Sequence, residues 1–177
     1  MHTSYRDKPL IFLVGPRCCG KTTLAGLLAA RCGFSCQDTD AMLTAEAGMS
    51  VSEIVEREGW EGFRARESRA LAAAAAPGAV VATGGGMVLD PQNRAFMRAS
   101  GLVIYLEAPA ALLCERLAGD RGVVRPALTG EGPEQEIARI LAEREPLYRE
   151  SAHYRVDASP PPQVVLESIA ELLEQRI

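Results

Sequence analysis

The sequence predicts an α/β fold in which helices flank a parallel sheet. Two observations carry this reading. Short apolar runs alternate with stretches of helical period along the chain. The first such run, LIFLV at 10–14, enters a glycine-rich loop that opens a helix. The 177 residues suit one domain, long enough to bury its own core without staples.

Each element has a local reason. The uninterrupted apolar run 10–14 is expected of a central strand covered on both faces. Leu24, Leu27 and Leu28 fall at i, i+3, i+4 and predict a helix over about 20–31. Residues 34–36 form the second candidate strand. Ser50-Val51-Ser52-Glu53 has capping-box spacing and starts a helix to about 57. A longer helix follows over 60–75, ending in an alanine run before Pro77-Gly78. Residues 79–83, 102–106 and 155–157 are further strand candidates. A last helix follows Pro160 to Pro162, with Val165, Ile169, Leu172 and Leu173 on one face. Between two helices, residues 119–132 hold four glycines and Pro126 and read as a mobile loop, long enough to imply a role.

Composition excludes several classes. A net charge of −4 argues against a broad nucleic-acid surface. No apolar run approaches the ~20 residues of a membrane span, and the polar start MHTSYRDK has no signal-peptide core, so the cytoplasm is expected. Of 19 basic residues only Lys8 and Lys21 are lysines. Guanidinium groups suit carboxylates and phosphates, although a GC-rich genome would produce the same bias. The five cysteines include no pair of CxxC motifs and come with two histidines, so zinc is not expected. They read as free thiols, most of them buried.

Gly15 through Thr22 matches G-x-x-x-x-G-K-[ST] between a strand and an amphipathic helix. Glycines let successive N–H groups wrap a phosphate, and the helix N-terminus adds partial positive charge. Lys21 is expected to reach the β- and γ-phosphates and Thr22 to offer its hydroxyl to Mg²⁺; Gly20 and Thr23 complete the nucleotide cradle. Cys18 and Cys19 stand at variable positions, so the loop reads as a phosphate site and not a redox site. No guanine-reading N-K-x-D motif is present, and the strand at 80–83 runs into Gly84-Gly85-Gly86 instead of ending in aspartate. A small-molecule kinase is the economical reading.

Asp38-Thr39-Asp40 follows the second strand and should lie at its C-terminal edge beside the phosphate loop. One carboxylate could assist Mg²⁺ and the other an acceptor hydroxyl; equally, Asp40 could cap the helix that follows. Arg64 and Glu67, at i, i+3, can pair, as many solvated surface residues do. Three successive glycines after a strand are costly unless backbone must approach a ligand closely. Arg144 lies on a helix after the long loop and says little in isolation.

Together these stretches resemble shikimate kinase from about residue 10 to the end. GPRCCGKTT, DTD, FRARE, ATGGG, RPALTG and R-x-PLY occur in that family's order and spacing. The resemblance implies a five-stranded parallel sheet flanked by helices, as in nucleoside monophosphate kinases. It adds a small acceptor-binding helical insert at about 40–75 and a lid at about 119–132. It implies ATP-dependent phosphorylation of shikimate to shikimate 3-phosphate, on the route to chorismate and the aromatic amino acids, with Mg²⁺ and as a monomer. It also implies roles. Lys21, Asp40 and Arg125 would be catalytic, with Arg125 on ATP phosphate. Asp40 would meet the acceptor's hydroxyls, Arg64 and Arg144 its carboxylate, and Gly85 would contact it through its N–H. Thr22 and Asp38 would hold the metal. Cys18 departs from the family, which commonly has a small residue such as glycine there. Ser159 to Pro162 lacks an arginine that some members place against adenine.

Overall fold

The computed structural model describes residues 8–119 and 132–175. Five strands form one wholly parallel sheet in the order β2-β3-β1-β4-β5: β1 Ile11–Val14, β2 Ser35–Asp38, β3 Ala79–Ala82, β4 Leu102–Glu107 and β5 Tyr154–Asp157. Helices α1 Lys21–Cys32, α2 Thr39–Ala47, α3 Val51–Ala74, α4 Pro91–Ser100, α5 Ala110–Gly119, α6 Pro133–Ser151 and α7 Pro162–Glu174, with a short 3₁₀ turn Met87–Leu89, complete the described elements.

The alternation of side chains along β1 explains the layering. Ile11 and Leu13 point into a core shared with Leu24 and Leu28 of α1, Leu113 of α5 and Val165 and Ile169 of α7. Phe12 and Val14 point the other way, against Leu71 of α3, Met97 of α4 and Tyr148 of α6. Buried on both faces, β1 has no polar position to alternate, hence its unbroken apolar run. A separate cluster of Leu43, Val51, Ile54, Phe63 and Ala70 joins α2 to α3.

Four details differ from the sequence reading. The two helices expected either side of residue 58 run as one, α3, with a kink at Gly59, whose φ of 70° breaks the helical path. Ser50 caps it with the reciprocal capping box that the spacing predicted. α2 is capped by Asp38, not Asp40, because Asp38 is the last extended residue and its side chain accepts from the N–H groups of Asp40 and Ala41. α4 carried few apolar residues and was not expected; Asp90 caps it and Pro91 pre-sets its first turn. Of the cysteines, all free, only Cys19 is buried; Cys36 is exposed because β2 is an edge strand. The expected lid overlaps the described chain only at Gly119, the last residue of α5, and Gly132, which precedes α6. Arg125 lies outside the described residues.

Candidate active site

The phosphate loop joins β1 to α1 at the middle of the sheet, where the chain's crossovers change direction and ligands of open α/β sheets bind. Its shape needs particular residues. Gly15 has φ 150°, and a Cβ there would meet the Leu106 carbonyl oxygen at 2.8 Å and Cys19 Sγ at 2.9 Å. Cys18 takes φ 66°, the left-handed conformation in which glycine is at ease and other residues are strained. Cys18 thus holds a conformation that glycine would adopt freely. Lys21 Nζ folds over the loop and donates to the carbonyls of Gly15 at 2.8 Å and Pro16 at 2.7 Å.

Thr22, at the start of α1, donates from Oγ1 to Asp38 Oδ2 at 2.6 Å. Two hard oxygen ligands so placed beside a phosphate cradle suit Mg²⁺, which takes one or two protein oxygens and completes its shell with phosphate and water. Asp38 divides its carboxylate between two elements: Oδ1 caps α2 while Oδ2 accepts from Thr22 Oγ1.

A cavity of about 290 Å³ opens beside the loop. Arg64 of α3, Gly85 and Gly86 after β3, and Arg144 and Tyr148 of α6 line it, with Arg17 from the phosphate loop. Three of the four sequence-predicted acceptor residues therefore share one cavity. The fourth, Asp40, is not in that lining; its Oδ1 is buried, 2.8 Å from where a Gly84 Cβ would stand.

The triple glycine explains itself here. A Cβ at Gly84 would sit 2.6 Å from Glu67 Oε1, and one at Gly86 would collide with the Arg64 guanidinium. Glu67 pairs with Arg64 at 2.5 Å and is 2% exposed, so the i, i+3 pair is no surface ornament. Burial pushes the Glu67 carboxyl above the usual carboxylate range, against the pull of Arg64 and Arg144 and with the push of Asp40. Arg64 also lies over the rings of Trp60 and Phe63, at 5.5 and 5.4 Å to the centroids. The arginine is thus fixed by a buried carboxylate and two rings, with 27% of its side chain exposed.

Sequence reasoning missed three residues. Tyr148 belongs to the PLY stretch, and its spacing of four from Arg144 on α6 was a usable signal. Arg17 drew no attention because it fills a variable motif position. Arg116 of α5 carried no signal, yet it donates to the carbonyls of Cys18 at 3.4 Å and Ala158 at 3.0 Å, tying the phosphate loop to the segment after β5.

A phosphate loop at the centre of a 2-3-1-4-5 sheet, with an arginine-lined cavity against it, defines the class of ATP-using small-molecule kinases. The profile of the Shikimate kinase family matches residues 17–174, and this chain belongs to that family. It is 52% identical over 164 residues to shikimate kinase 2 of Enterobacter sp. (strain 638), covering 92% of this chain and 94% of that one. It is equally 52% identical over 166 residues to shikimate kinase 2 of Escherichia fergusonii, with 93% and 92% covered. Among solved structures, shikimate kinase from Acinetobacter baumannii in complex with shikimate superposes with a TM-score of 0.90 at 36% identity, over 97% of this chain and 96% of that one. Among the described residues no helix is long and apolar enough to cross a membrane.

Proposed function

We propose that this chain transfers the γ-phosphoryl group of ATP to a ring hydroxyl of shikimate, giving ADP and shikimate 3-phosphate. The observation that carries this reading is the convergence of Arg64, Arg144, Gly85 and Gly86 on one cavity beside the phosphate loop. Shikimate is a carboxylate bearing three hydroxyls. Arg64 and Arg144, brought from α3 and α6, hold the carboxylate by charge-assisted hydrogen bonds. The N–H of Gly85 and the carboxylate of Asp40 address the hydroxyl side. The helices α2 and α3 serve as the acceptor-binding part of the domain.

Phosphoryl transfer asks for in-line placement and for positive charge on the spreading phosphate oxygens, with little covalent work. Gly20, Lys21, Thr22 and Thr23 hold the phosphates, and Lys21 leaves its two carbonyl partners to meet them. Thr22 and Asp38 would hold Mg²⁺, which would supply positive charge to the transferring phosphate. Asp40 orients the acceptor hydroxyl and takes its proton as the bond to phosphorus forms. Arg125, outside the described residues, is assigned to ATP phosphate by the RPALTG stretch, within a lid that excludes water. The enzyme acts as a monomer in the cytoplasm.

The test is ADP release followed with shikimate, gluconate, AMP or no acceptor. Turnover confined to shikimate is expected. Absence of shikimate-dependent ADP release, with ATP bound, would refute the reading.

A further inference from the structure

Tyr148 is buried in α6 at 1% exposure, its ring stacked on Tyr105 of β4 with centroids 5.1 Å apart. Its hydroxyl is not spent on packing: it donates to the Gly85 carbonyl at 2.7 Å. The Arg144 guanidinium, one turn earlier on the same helix, lies beside this hydroxyl, and a Cβ at Gly85 would stand 3.8 Å from Arg144 Nη1. Burial holds the phenol protonated well above physiological pH, so the donor is always present.

Three other polar groups of the glycine loop have partners of their own. Gly84 donates from its N–H to Thr39 Oγ1, its carbonyl accepts from the N–H of Met87, and the Gly86 carbonyl accepts from the N–H of Leu89. Of the three glycine carbonyls, that of Gly85 is the one held by a side chain among the described residues, and that side chain comes from α6. In a trans peptide the carbonyl and the following N–H point opposite ways. Fixing the Gly85 carbonyl therefore fixes the direction of the Gly86 N–H on the cavity lining and anchors the residue whose own N–H is assigned to the acceptor, in a segment where glycines impose almost no preference of their own.

We infer that Tyr148 is a positioning residue for the acceptor: its hydroxyl sets the Gly85–Gly86 peptide and ties it to Arg144, so the two halves of the acceptor site keep a fixed relation. This rests on the proposed acceptor role of the cavity. The tyrosine touches no reacting atom, and its effect is confined to the acceptor side because the nucleotide loop has its own tie, through Arg116 to the segment after β5.

Tyr148→Phe removes the donor and keeps the ring, its volume and its stack on Tyr105, so the fold is retained. With each substrate varied separately, the KM for shikimate should rise about three- to tenfold, the loss of one buried hydrogen bond. The KM for ATP should stay at the parental value. Replacing Tyr148 with 4-aminophenylalanine, which restores a donor on the same ring, should recover the shikimate KM. A phenylalanine variant with the parental shikimate KM, or with equal losses for both substrates, would overturn the inference. So would a 4-aminophenylalanine variant that melts like the parent yet fails to recover. If the parent itself does not turn over shikimate, the functional reading falls first, and this inference with it.

Discussion

Thr22 and Asp38 meet across the mouth of the phosphate loop, Thr22 Oγ1 donating to Asp38 Oδ2 at 2.6 Å, while Asp38 Oδ1 caps α2. One carboxylate thus joins α1, β2 and α2 at the place where a phosphate-bound metal would sit.

The helix cap at Asp38 and its proposed metal role can be separated. Asparagine caps a helix as well as aspartate does, so Asp38→Asn should melt within a degree or two of the parent. Its Mg²⁺ requirement should rise about 10- to 100-fold, as for metal sites that lose a supporting carboxylate. Asp38→Ala should lose about 1 kcal/mol through the cap as well. Thermal melting and ADP release against Mg²⁺ concentration read the two effects; a parental Mg²⁺ requirement in Asp38→Asn would remove Asp38 from the metal site.

Glu67 predicts a pH signature. Its native carboxyl is held above the ordinary carboxylate value, mainly by burial. Between the unfolded value near 4.3 and the raised native one, the folded chain binds more protons than the unfolded chain, so this group's contribution falls as pH rises. Glu67→Gln removes that slope. The melting temperature of the variant minus that of the parent should increase from pH 4 upward through the raised value. A difference that decreases with pH would mean the guanidinium groups outweigh burial.

The arginine clamp predicts ligand-dependent losses. Arg64→Ala or Arg144→Ala should weaken shikimate binding by about tenfold to a hundredfold or more, one charge-assisted contact each, with ATP affinity much less changed. Against a decarboxylated analogue both substitutions should be nearly silent. Because both would act on one carboxylate, the double variant should lose less than the sum of the singles. Equal losses for the two ligands at matched ionic strength would break the assignment.

Cys18→Gly should retain turnover and melt at or slightly above the parent. The left-handed conformation costs a side chain about 1–2 kcal/mol, and glycine's greater unfolded-state entropy cancels about half of that gain. The thiol lines the cavity edge but is assigned no role. A large loss of turnover in Cys18→Gly would give it one.

The sequence alone determined the sheet and the phosphate loop, because both are local. An apolar run, a glycine pattern and a helical period are written in contiguous residues, and β1 and α1 follow from them. The Arg64–Glu67 pair was legible for the same reason, being one turn apart on one helix. Tertiary structure decided what each candidate faces. No local signal distinguishes Glu67 at 2% exposure from a solvated glutamate, or separates the capping oxygen of Asp38 from the oxygen that faces Thr22. The meeting of Arg64, Gly85 and Arg144 likewise depends on three segments far apart in the chain that converge only when α3 and α6 pack on the same face of the sheet. Burial and electrostatic environment are properties of that packing, and so is the hydrogen bond by which Tyr148 reaches a carbonyl 63 positions away.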